Sequence, residues 1–425
     1  MSQTLAPADV SHYYQRLAEL STLPFWQLPE ITEPAGPERG HVWHWHDIYP
    51  ELARSREITG EADALQRRAL ILRNPGLPPP VVAATPTIAA AYQMLFPGES
   101  APVHAHSMSA LRFGLAGHGA RMVIDGDRVP MEPGDLILTP GWSWHGHVHP
   151  GGDEPVVWMD GLDVPFVLGL RAGFFRDDPY SGDPLPVRDA AGTAVSPATL
   201  VPAGNRSGRH SPVRRYPWHE AYPALRRLMA QAPGSTALAR LEYRNPVTGG
   251  PALATLGCLL EGLPAGARTR PRRETASSVI AVARGTGTLT CGGLTFPLLP
   301  NDVAAIPAWT WHQLIAGDDD LILFRVTDRP IHDAFGLFRA EETDGERGTR
   351  CPVSGFRAYQ SVIQTRPRRG QATRRVPLDP EEVRALFGRM VRHVWTPAEI
   401  DLLDRAACSA MLDRGPAAQW QVTGK

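Results

Sequence analysis

Lysine is almost missing from this sequence: Lys425 is the only one, and every other basic side chain is arginine. Together with abundant Ala, Gly and Pro, that reads as a GC-rich coding bias rather than as chemistry. Cysteine is scarce too. Cys258, Cys291, Cys351 and Cys408 are scattered with no CxxC pair, which excludes a disulfide scaffold and a zinc ribbon. Excess charge of either sign is also lacking, with 43 basic against 44 acidic side chains and a net charge of −1. That balance argues against a general nucleic-acid binder and against a polybasic membrane partner. The first residues carry no basic stretch followed by an apolar run, and no apolar segment is long enough to span a bilayer. A cytoplasmic protein is therefore expected.

What the chain does have is length, hydrophobic content and chain breakers. The 425 residues suggest two or three domains, and 43% hydrophobic residues allow a sizeable core. The 42 prolines and 40 glycines disfavour a helical bundle and suit short strands joined by turns, an all-β protein. Residues 8–22 read as an amphipathic helix and 61–68 as a second helical stretch, with an extended segment from Ala69 closed by Asn74-Pro75-Gly76. From about residue 90 the pattern becomes strand, turn, strand, with Asp125-Gly126-Asp127 a hairpin signal.

A repeat organises the rest. TPGWSWHG (139–146) recurs as IPAWTWHQ (306–313), and ALRFGLAGHG (110–119) matches SVIAVARGTG (278–287), at offsets of 167 and 168. Two copies of one β unit follow. The expected division is an N-terminal helical arm (1–80), a first β unit (81–180), a connector with a helix near Pro223–Ala232 (181–240) and a second β unit (241–345). The strand pattern stops after Arg339, and 346–425 reads as a basic linker (366–375) and a helical tail with helix starts at 379–382 and 396–399.

The chemistry concentrates in the first copy. In a strand, His104 and His106 project to one face, with Met108, Ala110 and Arg112 sharing it if the strand continues; His145 and His147 form a second same-face pair. Three neutral imidazoles at 104, 106 and 145 suit Fe(II), Mn(II) or Zn(II) and poorly suit calcium or magnesium. His44 and His46 form another HxH pair, better explained by aromatic packing and hydrogen bonding than by a metal.

That framework resembles the cupin superfamily, whose two signatures stand here as PG-x5-H104-A-H106-x10-G117 and G134-x5-P140-x4-H145. The superfamily's glutamate ligand falls at Ala110, leaving a three-histidine site. In the second copy Arg272, Arg273 and Glu274 fill the HxH segment and His312 keeps the third position. Arginine cannot ligate and repels a cation, so no metal is expected there, with His312 a structural remnant. Longer matches, QRRALILRNPGL (66–77), YQMLFPGE (92–99), HAHSMSALRF (104–113), LILTPGWSWHGH (136–147), WMDGLDVP (158–165) and FRVTDRP (324–330), are similar to the gentisate 1,2-dioxygenase family and its salicylate- and 1-hydroxy-2-naphthoate-cleaving relatives.

The resemblance implies two tandem cupin (double-stranded β-helix) barrels covering about 8–345. It implies Fe(II) on His104, His106 and His145, and an extradiol-type opening, by O2, of an aromatic ring with adjacent carboxylate and hydroxyl groups, most directly gentisate to maleylpyruvate. It implies a homo-oligomer, often a tetramer. Carried over by position, Arg112 and Arg68 would hold the substrate carboxylate, His147 would take the phenolic proton or hold a superoxo intermediate, and Gln93 would hydrogen-bond substrate or oxygen. Met108 replaces a customary Gln, and Ala89 stands where some salicylate-cleaving relatives have a bulky aromatic, so the substrate stays open. Asp160 carries no assigned role. A non-catalytic acid-binding cupin and a Zn or Mn isomerase are the alternatives of another class.

Overall fold

The computed structural model describes residues 7–29, 31–58, 68–177, 210–231, 238–343, 350–354, 374–377 and 419–422. The chain forms two units, Met1–Gly355 and Phe356–Lys425. The first is mostly β-sheet, and no helix among the described residues is long and apolar enough to cross a membrane.

Its strands form four sheets in two pairs. One sheet runs Arg215–Tyr216, Leu136–Thr139, Ala110–Ala116, Val156–Leu162, Ala89–Leu95, Ala69–Ile71, and faces a second that runs Phe175–Asp177, Ser100–His106, His145–Val148, Arg121–Ile124, Asp127–Pro130. The other pair repeats this order. One sheet is His41–Trp43, Val303–Ile306, Ser278–Arg284, Leu321–Thr327, Gly257–Leu263, Ala239–Tyr243. Its partner is Leu294–Leu298, Gly287–Cys291, His312–Ala316, Arg272–Glu274, Ala340–Thr343, Arg350–Ser354.

Period-two alternation decides where each side chain goes. Leu111 and Phe113 point out of the first half and meet Ile322, Phe324 and Val326 of the second in one large core cluster. Phe113 and Phe324 stack at 4.4 Å with their planes 6° apart. Such a pair adds about 0.5–1.5 kcal/mol beyond the area it buries. The alternate residues face inward: Leu95, Ile137 and Trp158 pack on Met122 and Ile124 inside the first half, and Ile280, Val282 and Leu323 on Leu289 and Leu314 inside the second.

The halves are also clasped by exchange. The strand His41–Trp43 precedes the first half yet pairs with Val303–Ile306 of the second, while Arg215–Tyr216 pairs with Leu136–Thr139 of the first. Each strand leads into a helix, Trp45–Ile58 and Trp218–Gln231. An aspartate of the opposite half accepts each helix's first backbone N–H: Asp302 from Trp45 and Asp135 from Trp218, both at 2.8 Å. The same aspartates bind the entering strand, Asp302 through His44 Nδ1 (2.9 Å) and Asp135 through Arg215 Nε (2.6 Å). Gly134, at φ +85°, lies beneath the Trp218 ring, where a Cβ would come within 2.4 Å of it.

Several elements differ from the sequence expectation. The segment 41–47 spans the strand His41–Trp43 and the start of the helix Trp45–Ile58, and Pro50 sits inside that helix as Pro223 does inside Trp218–Gln231. A proline there removes one helical hydrogen bond, and packing and capping supply the rest. The strand pattern continues past Arg339 through Ala340–Thr343 and Arg350–Ser354, which close the last sheet. Of the stretch 61–68 only Arg68 is described, and it is not helical. In the second unit Arg374–Pro377 pairs antiparallel with Gln419–Val422, so the end of the expected linker is strand. The two expected tail helices lie outside the described residues.

Candidate metal centre

The strand Ser100–His106 ends at His106, and the chain turns at Ser107–Ser109 before the strand Ala110–Ala116 begins in the facing sheet. His104 and His106 therefore do not share a strand with Arg112, as a continuous strand would have it. Arg112 looks at them from across the interior. His145 pairs in register with His104.

The ring centroids lie 4.2 Å apart for His104–His145, 4.9 Å for His106–His145 and 5.6 Å for His104–His106. Each ring is tied back by a backbone carbonyl. His104 Nδ1 bonds Pro102 O (3.0 Å), His106 Nδ1 bonds Met108 O (2.8 Å), and His145 Nδ1 bonds Ser143 O (2.9 Å). With Nδ1–H donated, each Nε2 is a lone-pair donor, and one ligand atom from each ring falls within 4.8 Å of the others. His145 Nε2 is buried with no hydrogen-bond partner. Burial, then Arg112 and the two neighbouring imidazoles, hold His145 well below its ordinary pKa, so the ring stays neutral. The residues present fit a divalent transition metal with three nitrogen ligands and open positions.

The turn before His145 is strained in a useful way. Trp142 has φ 70° and donates its N–H to His106 O at 2.6 Å, which locks the loop of one ligand to the strand of another. Phe175 stacks over His104 (5.4 Å) and His106 (6.4 Å) from the strand Phe175–Asp177.

Opposite the histidines, one row of cross-strand neighbours reads Ala91, Asp160, Arg112, Ile137. Arg112 is 4% exposed, pairs through Nε with Asp160 Oδ1 at 3.3 Å and donates Nη1 to Thr139 Oγ1. Asp160 Oδ1 also accepts Trp158 Nε1–H (3.1 Å), and the Trp158 ring stacks on His147 at 5.0 Å. Gln93 lies beside Trp158 in the next row and is buried. Ala89 and Ala110 belong to the row beyond, on either side of Leu162 and with Thr139 next to Ala110, and each contributes only a methyl group.

The expected residues His104, His106, His145, His147, Arg112 and Gln93 thus share one interior. Arg68 is buried at the edge of that sheet, bound to Glu99 Oε1 and Ser55 Oγ, both at 3.2 Å, and packed over Phe96. Met108 contributes its carbonyl to His106 rather than only a side chain to the wall. Asp160, unassigned from sequence, is the residue that positions Arg112; its i, i+2 spacing from inward-facing Trp158 was the available signal. Phe175 had none, because it precedes no recognisable strand pattern. His44 and His46 do approach Asp302 closely enough for ligation, but both Asp302 oxygens serve the clasp described above.

Residues 91–164 match the cupin domain family. A gentisate 1,2-dioxygenase from Streptomyces sp is 35% identical over 337 residues, covering 77% of this chain and 93% of that protein. This chain belongs to the gentisate, salicylate and 1-hydroxy-2-naphthoate 1,2-dioxygenase family. A 1-hydroxy-2-naphthoate 1,2-dioxygenase from Nocardioides sp. is 36% identical over 329 residues, with 76% and 83% covered. Among solved structures, salicylate 1,2-dioxygenase from Pseudoaminobacter salicylatoxidans with gentisate bound superimposes with a TM-score of 0.72 at 34% identity, covering 81% of this chain and 96% of that one. Members of this family are aromatic ring-cleaving dioxygenases.

Proposed function

We propose that this chain is an Fe(II)-dependent dioxygenase, built on two tandem cupin barrels, that opens an aromatic 2-hydroxy acid between its carboxyl- and hydroxyl-bearing carbons. Gentisate is the first candidate. Both atoms of O2 enter the product, giving maleylpyruvate. The observation that carries this reading is the pairing of three tied-back histidines with a buried Arg112 fixed opposite them by Asp160. Held by His104, His106 and His145, Fe(II) would supply open coordination positions for substrate oxygens and for dioxygen.

The chain's own side chains do the rest. Arg112 receives the carboxylate in a site from which water is largely excluded, where a charge-assisted hydrogen bond is strongest. Asp160 keeps the guanidinium aimed, so little orientation entropy remains to be lost on binding. His147, braced by Trp158, accepts the phenolic proton at a ring nitrogen. The Gln93 amide hydrogen-bonds a ring substituent, and Arg68, held by Glu99, adds positive potential near the mouth. Ala89, Ala91 and Ala110 leave room for a larger ring, which makes substituted salicylates and 1-hydroxy-2-naphthoate the next candidates.

Anaerobic reconstitution with Fe(II), followed by air and a panel of hydroxybenzoates and hydroxynaphthoates, tests this. Oxygen uptake with a new keto-acid chromophore on at least one substrate is the expected result. Silence across the panel with iron demonstrably bound would overturn it. We also propose a homo-oligomer, a tetramer by family resemblance, which light scattering measures directly.

A further inference from the structure

The second half encloses a cavity of about 320 Å³ lined by Arg240, Arg270, Arg272 and Arg325 with Leu238 and Leu314. Its residues stand at the positions of the first site. Arg272 pairs in register with His312 as His104 does with His145, and His312 Nδ1 bonds Thr310 O (3.1 Å) as His145 Nδ1 bonds Ser143 O. The inward row that holds Asp160 opposite Arg112 holds Arg325 opposite Ile280. The arginine has moved to the neighbouring strand but has stayed in the same row. The ligand pair is gone and the carboxylate-binding cation remains.

Arginine and glutamate share this interior: Arg240, Arg270, Arg272 and Arg325 line the cavity with Glu342, and Glu261 and Glu274 lie close by. His312 is held down to about 4 by burial and then by Arg325, so it adds no charge at neutral pH. Much of the arginine capacity is already used. Arg325 gives Nε to Glu261 (2.9 Å) and Nη1 to Ser278 Oγ (2.7 Å), Arg240 Nε lies 2.8 Å from Glu261 Oε1, and Arg272 Nη2 bonds Glu274. The Arg272 Nε–H, however, is buried with no acceptor. An unmet donor on a buried cation is costly unless an acceptor completes it, and beside these arginines an anion is the acceptor the cavity favours.

We propose that the second half is a binding site for a small monocarboxylate with a compact apolar body. The carboxylate meets Arg272 and Arg325, and the apolar part lies against Leu238 and Leu314. The carboxylate supplies the acceptor that the Arg272 Nε–H lacks. The site binds without turning over its ligand. It is separate from the metal centre: Phe113 and Phe324 stack in the core between the halves, with Arg112 next in the chain to one ring and Arg325 next to the other.

The test is ¹⁹F NMR and calorimetric titration of the iron-loaded full chain with 4-fluorobenzoate, which has no hydroxyl group. Two saturable equivalents per chain are expected. Arg272→Gln should weaken one of them at least tenfold, Leu238→Trp should remove the same one while leaving every charge in place, and Arg112→Gln should affect only the other. Thermal melting of the ligand-free variants checks folding, and Leu238→Trp carries the test if Arg272→Gln does not fold. Binding that disappears entirely with Arg112→Gln, or that neither second-half variant changes by more than twofold, overturns the proposal, as does the absence of saturable binding.

Discussion

The two halves of this molecule orient an imidazole in the same way and surround it with opposite chemistry. His145 and His312 each hang from the carbonyl two residues before them, after a tryptophan with a left-handed backbone, Trp142 or Trp309, whose N–H bonds the strand alongside at 2.6 Å. Beyond that shared frame, His104 and His106 give way to Arg272 and Glu274, Gln93 to Glu261, Asp160 to Arg325, and His147 to Leu314. In the first half the interior offers nitrogen lone pairs facing one cation. The second fills the same space with guanidinium–carboxylate pairs. Burial pushes Glu261 up, but Arg325 and Arg240 outweigh it and hold the carboxyl below its usual range. The backbone therefore determines where polar groups stand, and a few side chains determine whether that place serves a metal or an anion.

The comparison can be broken in graded ways. The largest effect is expected from His106→Ala, which removes one of three ligands and should abolish iron binding and ring cleavage together, read by metal analysis and oxygen uptake. Glu261→Ala strikes the other half. It leaves the buried Arg325 and the half-buried Arg240 without their carboxylate and should destabilise the protein by roughly 3–5 kcal/mol in chemical denaturation. If its cost is below about 1 kcal/mol, the second interior is wetter than the ion pairs indicate. Arg112→Gln should leave iron in place and lower kcat/KM about 10- to 100-fold, the loss expected for a charge-assisted hydrogen bond of roughly 1.5–3 kcal/mol.

The smallest effect concerns the seam. Asp163 accepts the Ser109 N–H and the Thr255 hydroxyl of the opposite half, and burial raises its pKa from 3.8 to about 6. A carboxyl raised on folding contributes stability that is complete below about pH 4 and is lost as pH rises through 6. Between pH 5 and 8 the wild type should lose about 1.4 kcal/mol relative to Asp163→Asn, one pKa unit's worth. A pH-independent difference between the two proteins would contradict the shift.

The sequence made much of the first site readable because its signals are local. HxH spacing and strand parity bring His104, His106, His145 and His147 together without tertiary knowledge. Arg112 shares the histidines' interior for a reason other than parity along one strand: the turn at Ser107–Ser109 carries the chain to the facing sheet. The clasp was not visible because its partners are far apart in sequence, Trp45 with Asp302 and Trp218 with Asp135. The two helices do share a local pattern, WHDIYPEL and WHEAYPAL, that the proline in each obscured. The second interior read as vacant because replacing ligands suggests loss. Which charges Arg272 and Arg325 would meet depended on strand register that no local pattern encodes.

The division of labour between the halves is tested most directly by counting iron per chain in three proteins reconstituted alike: wild type, His106→Ala and His312→Ala. One, none and one are the values predicted. Two tightly bound irons in the wild type, or the loss of iron in His312→Ala, would contradict the account.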